Sequence, residues 1–586
     1  MSLRNLQEEL RLLDEKIVEA DEHARGLRSQ RNSLLPICQL PNEVLSLIFL
    51  SCVTKPTSPV HYLSYIKRPL PEWLAVTQVC RHWRAVALSC TAMWTAPDFR
   101  IPSLAREMLL RAKAAPLQIH AYMSNRFPKH EALREALQHM DRIEELHITA
   151  SQLRDLFADL ERPAPMLCSL AISNTGDEPF TLPESMLASD VVRLRHLKLE
   201  HCSLNWETMT LRSLTSLTLY GDPRTAQPFL QDFLHALKRM QALQRLKLVD
   251  YFPSGESVNL EMPGVILPQL KYVSMRSPLP TCVALLDAIT PPSTAEVDIT
   301  ATVSGAHEYN LALPCLSQLT RIIDEHVRAV FIDTTRDSLV FNRFVLKVFE
   351  RADIDALSTL DQSGISFQIV DNIESLYRVS DAEVDVLARQ MFEMLPLSHL
   401  QTLHLGMNHI QANDYVRHFG SLAELDTIHL QGPCASSFLD AFGQTLPSHI
   451  PTAGSSCQPP QRNEIAFSGL KTLTFESVDF GDTMLHWSSP FIDELFAQLQ
   501  YRSERGMPIQ KLTVWEGVNF SRLERKKLEP VVGEVDWDGI VDCDSETDDD
   551  DDDDDEDRYD DYDYEDDYDY DDFDYSDFPA SCSCCG

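Results

Sequence analysis

One short phrase returns along the chain and limits what it can become. The pattern apolar-x-x-apolar-x-apolar reads IEELHI from Ile143, LCSLAI from Leu167, LRHLKL from Leu194, LTSLTL from Leu214, LQRLKL from Leu243 and LKYVSM from Leu270. It comes back as LQTLHL from Leu400, LDTIHL from Leu425, LKTLTF from Leu470 and IQKLTV from Ile509. The last three positions alternate, as a strand buried on one face must. Early copies are about 20 to 29 residues apart. Helical segments lie between them, such as FLQDFLHALKRM at 229–240 and FIDELFAQLQ at 491–500. A strand-then-helix unit of this length cannot bury its apolar face alone and must stack on its neighbours.

The phrase resembles the strand segment of a leucine-rich repeat. Two copies extend further, LRHLKLEHCSL from Leu194 and LQTLHLGMNHI from Leu400, with Cys202 and Asn408 at the Asn/Cys position. The resemblance implies that this side chain caps backbone groups at the turn. The other copies lack it, so an irregular solenoid is expected over 97–535. The stretch 300–395 fits less well. There RAVFID (328–333), ISFQIV (365–370) and LARQMFEML (387–395) carry only a degraded alternation, and a break near 300 would make two domains. Residues 446–465, rich in Pro, Ser and Gln, read as a disordered loop.

Strand alternation points the residue between the last two apolar positions away from the core. These residues include His147, Lys198, Thr218, Lys247, His404, His429, Thr474 and Thr513, with Tyr220, Arg245, Tyr251, Arg276 and Trp515 flanking them. Aromatic and Arg side chains often anchor interfaces. Lys198, Tyr220, Lys247, Tyr251, His404, His429 and Trp515 are therefore the candidates for holding a client protein, against the plainer reading of solvated strand residues. The middle strands lean basic, which favours an acidic or phosphorylated client.

Residues 3–34 carry a heptad. Leu3, Leu6, Leu10, Leu13, Ile17, Ala20, Ala24, Leu27, Arg31 and Leu34 alternate spacings of three and four, the seam of a coiled coil. Charged residues fill the other faces, and Pro36 ends the pattern. Residues 1–35 are read as a helix that either pairs with a second copy or packs back on the next domain.

Between Val44 and Val53 almost every residue is apolar, interrupted only by Ser46 and Ser51. Pro41, Asn42 and Glu43 suit a helix start. A second apolar segment, Trp73 to Cys90, follows a Pro-rich loop, and Trp94 closes the unit. The order Leu40-Pro41-x-Glu43-Val44-Leu45-x-x-Ile48-Phe49, then Val79-Cys80-x-x-Trp83-Arg84-x-x-Ala87, then Trp94, resembles an F-box, with a longer first loop as in fungal F-box-like proteins. The resemblance implies a three-helix unit over 36–96 that buries one side internally and offers the other to a Skp-family linker, and through it to a cullin. Leu40, Pro41, Leu45, Ile48, Phe49, Val79, Cys80 and Trp83 are the residues it marks for core or interface. The implied role is the substrate adaptor of an SCF-type ubiquitin ligase.

Charge separates the last segment from the rest. Of a net charge of −38, residues 542–577 contribute about −23, from about 24 acidic residues and one Arg. Dense like charge without aliphatic residues reads as a disordered acidic tail over 536–586. Such a tail can solubilise the chain, bind basic proteins such as histones or compete for the basic strands. It is the basis of an alternative reading, a non-ligase scaffold. Bulk nucleic-acid binding needs a basic surface and is disfavoured. The 14 cysteines lack a framework of short spacings, which reads as a reduced, intracellular protein of cytoplasm or nucleus. No phosphate loop, nucleophile elbow, zinc-protease helix or paired CxxC is present. An α/β adaptor without enzymatic chemistry, cofactor or metal is the expectation.

Overall fold

The computed structural model describes residues 3–53, 70–123, 131–158, 162–187, 193–221, 229–252, 264–303, 311–321, 323, 327–334, 342–349, 364–371, 381–407, 410–446, 465–481 and 489–540. Asn408, most of the loop expected at 446–465 and the acidic stretch from 541 lie outside these residues.

Among the described residues, four α-helices open the chain: α1 (Leu3–Ser33), α2 (Asn42–Cys52), α3 (Arg81–Ser89) and α4 (Pro102–Ala112). Twenty strands follow among the described residues. They are β1 (Leu117–Met123), β2 (Ile143–Ala150), β3 (Ser169–Asn174), β4 (Phe180–Thr181), β5 (His196–Glu200), β6 (Cys202–Ser203), β7 (Ser216–Tyr220), β8 (Arg245–Val249), β9 (Val265–Ile266) and β10 (Tyr272–Pro278). Then come β11 (Ile289–Thr290), β12 (Glu296–Val303), β13 (Ala329–Asp333), β14 (Asn342–Phe349), β15 (Ile365–Asp371), β16 (Thr402–Gly406), β17 (Thr427–Gln431), β18 (Thr472–Glu476), β19 (Lys511–Trp515) and β20 (Glu534–Trp537).

Sixteen of these strands form one sheet, ordered β1-β2-β3-β5-β7-β8-β10-β12-β15-β14-β13-β16-β17-β18-β19-β20. Its neighbours pair in parallel except at β14, which runs antiparallel to both β13 and β15. Nine of the ten recurring phrases become strands that begin at their third residue, and the first becomes β2, which begins at its first residue, Ile143. The two later apolar positions of a phrase point into the core, as Leu197 and Leu199, Leu246 and Leu248, or Leu403 and Leu405. Helices such as Leu279–Ala288 and Cys434–Phe442 share that core. Sequence periodicity missed β1, which precedes the first phrase.

The sheet runs unbroken through 300–395, and the weak phrase there has a topological cause. From β12 the chain crosses by the helix Ala312–Thr320 to β13, which stands three places along the sheet. It then turns back through β14 and β15, which fill the gap. Strands wedged between neighbours in this way are not the start of a strand-helix unit. The spacing signature is lost although the sheet is kept.

The C-terminal half contains an unusual buried cation. Arg502, on the helix Phe491–Glu504, is fully buried and has no carboxylate partner among the described residues. It donates to the carbonyls of Phe442, Ala466 and Phe467 at 3.4, 2.9 and 2.6 Å and lies over the Phe442 ring. Burial lowers its pKa to about 10.

Candidate docking face and recognition face

The apolar run of α2 divides along its helical period. Leu45 and Phe49, four residues apart and so on one side of the helix, are both 0% exposed. Val44, Leu47 and Ile48 lie on the other side, with Leu47 67% exposed. The inner side packs against the second apolar segment: the Phe49 and Trp83 rings are 5.0 Å apart, and Trp73 meets Trp94 edge-on at 5.3 Å. Trp94 Nε1 donates to the Ala87 carbonyl at 2.9 Å, so the closing tryptophan is buried with its polar atom satisfied.

By periodicity, Trp73 to Cys90 is one helical segment; the fold breaks it. Glu72–Gln78 forms a 3-10 turn, Cys80 adopts extended backbone, and its Sγ accepts from the Trp83 backbone N–H at 3.4 Å to cap α3. The Cys38 thiol lies beside Cys80 and Trp83, and burial together with the neighbouring thiol pushes its pKa up.

The eight residues marked by the F-box pattern therefore separate into roles. Leu45 and Phe49 are core. Leu40, Cys80 and Trp83 are half-buried. Pro41, Ile48 and Val79 are exposed, Val79 at 55%. The outward group also takes in Val44, which the pattern names but which is not among the eight, and Leu47, which the pattern leaves as x; both are exposed beside Ile48. Leu34, Leu35 and Ile37, just before α2, are exposed as well. The core side of this unit is continuous with the core of the sheet.

The second face is the side of the sheet turned away from the core. Strand register aligns one outward residue per strand into a continuous row. From β1 it runs His120, His147, Ala171, Lys198, Thr218, Lys247, Ser274 and Asp298. It continues Ser366, Lys347, Phe331, His404, His429, Thr474, Thr513 and Asp536. The outward residues expected from the phrase thus share one line.

On β5 to β8 this line is open, while on β10 Ser274 is buried at 8% exposure. Lys198 and Lys247 reach toward the ring of Tyr220 on the strand between them, their ammonium groups 5.6 and 5.7 Å from its centroid. Lys198 also pairs with Glu200 at 2.7 Å, and Arg276 stands 3.7 Å from Asp250. Arg245 is exposed. Toward β2, burial and the adjacent His120 hold His147 down to about 4.

Between β13 and β19 the same line is closed. His404 and His429 are 5% and 6% exposed, and Thr474 and Thr513 are buried with them. The His404 ring stacks on Phe331 at 4.2 Å and meets His429 at 4.1 Å, while Trp515 covers His429 at 5.6 Å. A Glu476 oxygen lies 2.7 Å from His429 Nε2 but without hydrogen-bond alignment. Burial, then His429, holds the His404 pKa well below the usual imidazole value. Of the residues expected to meet a client, Trp515 is exposed and the two histidines are not.

Tyr251 departs from the expectation altogether. It is 3% exposed and accepts a hydrogen bond from Trp206 Nε1 at 3.0 Å; burial pushes its hydroxyl pKa up. The cause is local. Asp250 takes a left-handed φ of 48°, strand alternation ends there, and the next side chain turns inward. Cys202 sits where the repeat resemblance implies a cap, and its thiol donates to the Glu200 carbonyl at 3.1 Å.

Among the described residues, no group of three or more His, Cys, Asp or Glu is placed to hold a metal. Among them, no helix is long and apolar enough to cross a membrane. With this geometry, residues 37–100 match the family described as F-box-like. That segment, α2 and α3 with their connecting turns and Trp94, is an F-box-like domain, and domains of this kind generally bind Skp-family linkers in SCF complexes. No curated protein matches the chain.

Proposed function

We propose that the chain is a substrate-recognition adaptor of an SCF-type cullin-RING ubiquitin ligase, acting inside the cell. The carrying observation is that α2 spends Leu45 and Phe49 on its own core and leaves Val44, Leu47 and Ile48 outside. A contiguous apolar surface beside a complete core is the mark of an interaction site. In this reading the outer side of α2, with Pro41 and Val79, docks the Skp-family linker, and the linker brings the cullin. The sheet, read as an irregular leucine-rich-repeat solenoid, holds the client on its outward row. The adaptor does no chemistry and uses no cofactor; it raises the effective concentration of client lysines near the conjugating enzyme.

The test is a pull-down probed for linker and cullin. Wild-type protein brings down both. Leu47→Asp with Val44→Asp loses both while the thermal midpoint stays at the wild-type value, because neither side chain is in the core. Linker recovery unchanged by this pair ends the reading. Recovery of basic proteins such as histones without linker or cullin would favour the alternative, a scaffold built on the acidic sequence at 542–577. The α1 seam, with Leu6, Leu10, Leu13, Ile17 and Leu27 each about half exposed, supports self-association as part of the same proposal. A monomeric mass in light scattering at micromolar concentration would remove that part.

A further inference from the structure

The outward face of the sheet is not uniform in charge, and a cationic stretch on it lies in an acidic chain. On β5, β7, β8 and β10 the outward residues include Lys198, Arg245, Lys247 and Arg276 against a single carboxylate, Glu200. Asp250, just past β8, adds a second. After the pairs Lys198 with Glu200 and Arg276 with Asp250, two cations, Arg245 and Lys247, have no ion-pair partner among the described residues. Acids bound the stretch on both sides, Glu145 on β2 and Asp298 on β12, where Asp298 accepts from Ser274 Oγ at 3.3 Å.

The lysines are also pre-positioned. Lys198 and Lys247 stand two strands apart, roughly 10 Å at the backbone, and both lean onto Tyr220. The ring face attracts each ammonium, while the two like charges repel. An anion placed over Tyr220 would relieve that repulsion and keep both cation-ring contacts. The net charge of −38 does not forbid this, because charges beyond about 8 Å are largely screened at physiological salt. What an approaching segment meets first is local.

We propose that the stretch of the recognition face formed by Lys198, Tyr220, Lys247 and Arg245 docks an extended acidic segment of the client, read through its carboxylates. The cations lie on three strands, β5, β8 and β10, and in three rows, and only Lys198 and Lys247 converge, on Tyr220. That distribution matches several single negative charges along a peptide, whereas a phosphate dianion needs several donors gathered around it. The inference rests on the adaptor reading for the word client, but the site stands or falls by itself.

The experiment is fluorescence anisotropy on the full chain. The probe is a labelled twelve-residue peptide carrying six glutamates, with a lysine-for-glutamate peptide and a matched phosphoserine peptide as controls. The glutamate peptide is expected to bind and to weaken steeply with salt. Lys198→Glu with Lys247→Glu should weaken it at least tenfold, Lys247→Ala about threefold, and Lys526→Glu, on the helix Arg522–Leu528, not measurably. The thermal midpoints should match wild type, since these side chains are not buried. Equal loss from Lys526→Glu and the double reversal, or no loss from the reversal, overturns the site. Phosphoserine peptide binding more than tenfold tighter than the glutamate peptide overturns the carboxylate reading. Linker recovery in the pull-down is a separate readout. Peptide binding without linker recovery sinks the adaptor and keeps the site; linker recovery without peptide binding does the reverse.

Discussion

Two stretches of one sheet carry the same phrase and end differently. LRHLKL and LQRLKL place Lys198 and Lys247 on an open face; LQTLHL and LDTIHL place His404 and His429 in the same row, closed over by Phe331, Trp515 and each other. The backbone geometry is shared, parallel and in register. The difference lies in what stands beside each residue. In the middle of the sheet the neighbours are Thr218, Ser274 and one tyrosine, too small to roof a lysine. Toward the C-terminal end the neighbours are rings, and rings on strands about 4.8 Å apart cover one another. Burial of polar groups in this half extends to the other side of the sheet, where Arg502 sits in the core. An outward position is therefore a direction, and exposure is a property of the neighbourhood.

The comparison can be broken in three places. The largest effect is expected at Arg502. Arg502→Ala strips donors from three carbonyls and leaves a cavity against Phe442, at a cost of roughly 3 to 5 kcal/mol. Denaturant unfolding should lose that much; a loss under about 1 kcal/mol would mean that water replaces the guanidinium.

A smaller effect is expected at His404. His404→Ala removes a ring held between Phe331 and His429 and should cost about 2 kcal/mol. The same residue should give the closed half an acid sensitivity. Its folded pKa lies below the unfolded value near 6.5, as does that of His147, at about 4. Protonation then favours the unfolded chain. The stability these groups allow is whole above pH 6.5 and declines as pH falls from there toward their folded values. Facing His404 are His429 and Lys347, whose charges oppose its protonation, and Gln431, which favours it. Protection factors of the β16 and β17 amides, with exchange corrected for its intrinsic fall with pH, should drop as pH goes from 6.5 to 5, and His404→Gln should flatten that trend. An identical slope in the variant would locate the acid sensitivity elsewhere.

The smallest effect belongs to the open half. Lys247→Ala should change stability by less than about 0.5 kcal/mol, since among the described residues its ammonium has no ion-pair partner and stands 5.7 Å from the Tyr220 ring centroid. A loss comparable to that of His404→Ala would show that the two halves do not differ in the way their burial indicates.

Much of this was legible in the residues. Ten phrases mark ten of the sixteen sheet strands, because alternation over a few residues is a local property. The F-box unit was legible because two apolar signatures and a closing tryptophan keep their order. The missed strands have different reasons. β1 precedes the first phrase, and β14 runs antiparallel between two strands that are not its neighbours in a repeating unit. At the site, the list of eight F-box residues mixed core and surface. Helical period alone could have separated Leu45 and Phe49 from Val44, Leu47 and Ile48, and it also singles out the two positions left off the list. Tyr251 was misplaced because one left-handed residue, Asp250, ends the alternation on which the reading relied.

By itself, the sequence determined where ten of the sheet strands lie, which of their side chains share a side, and that α2 has more apolar surface than one core can take. These are periodicities, set by the covalent chain over a turn or a few residues. The tertiary structure alone decided which strands lie next to which, including the reversal at β13 to β15. It also decided that Lys198 and Lys247 meet at one tyrosine while His404 and His429 lose contact with water. Those outcomes depend on contacts between residues tens to hundreds of positions apart, and no local pattern encodes the size of a neighbour that folding has yet to supply.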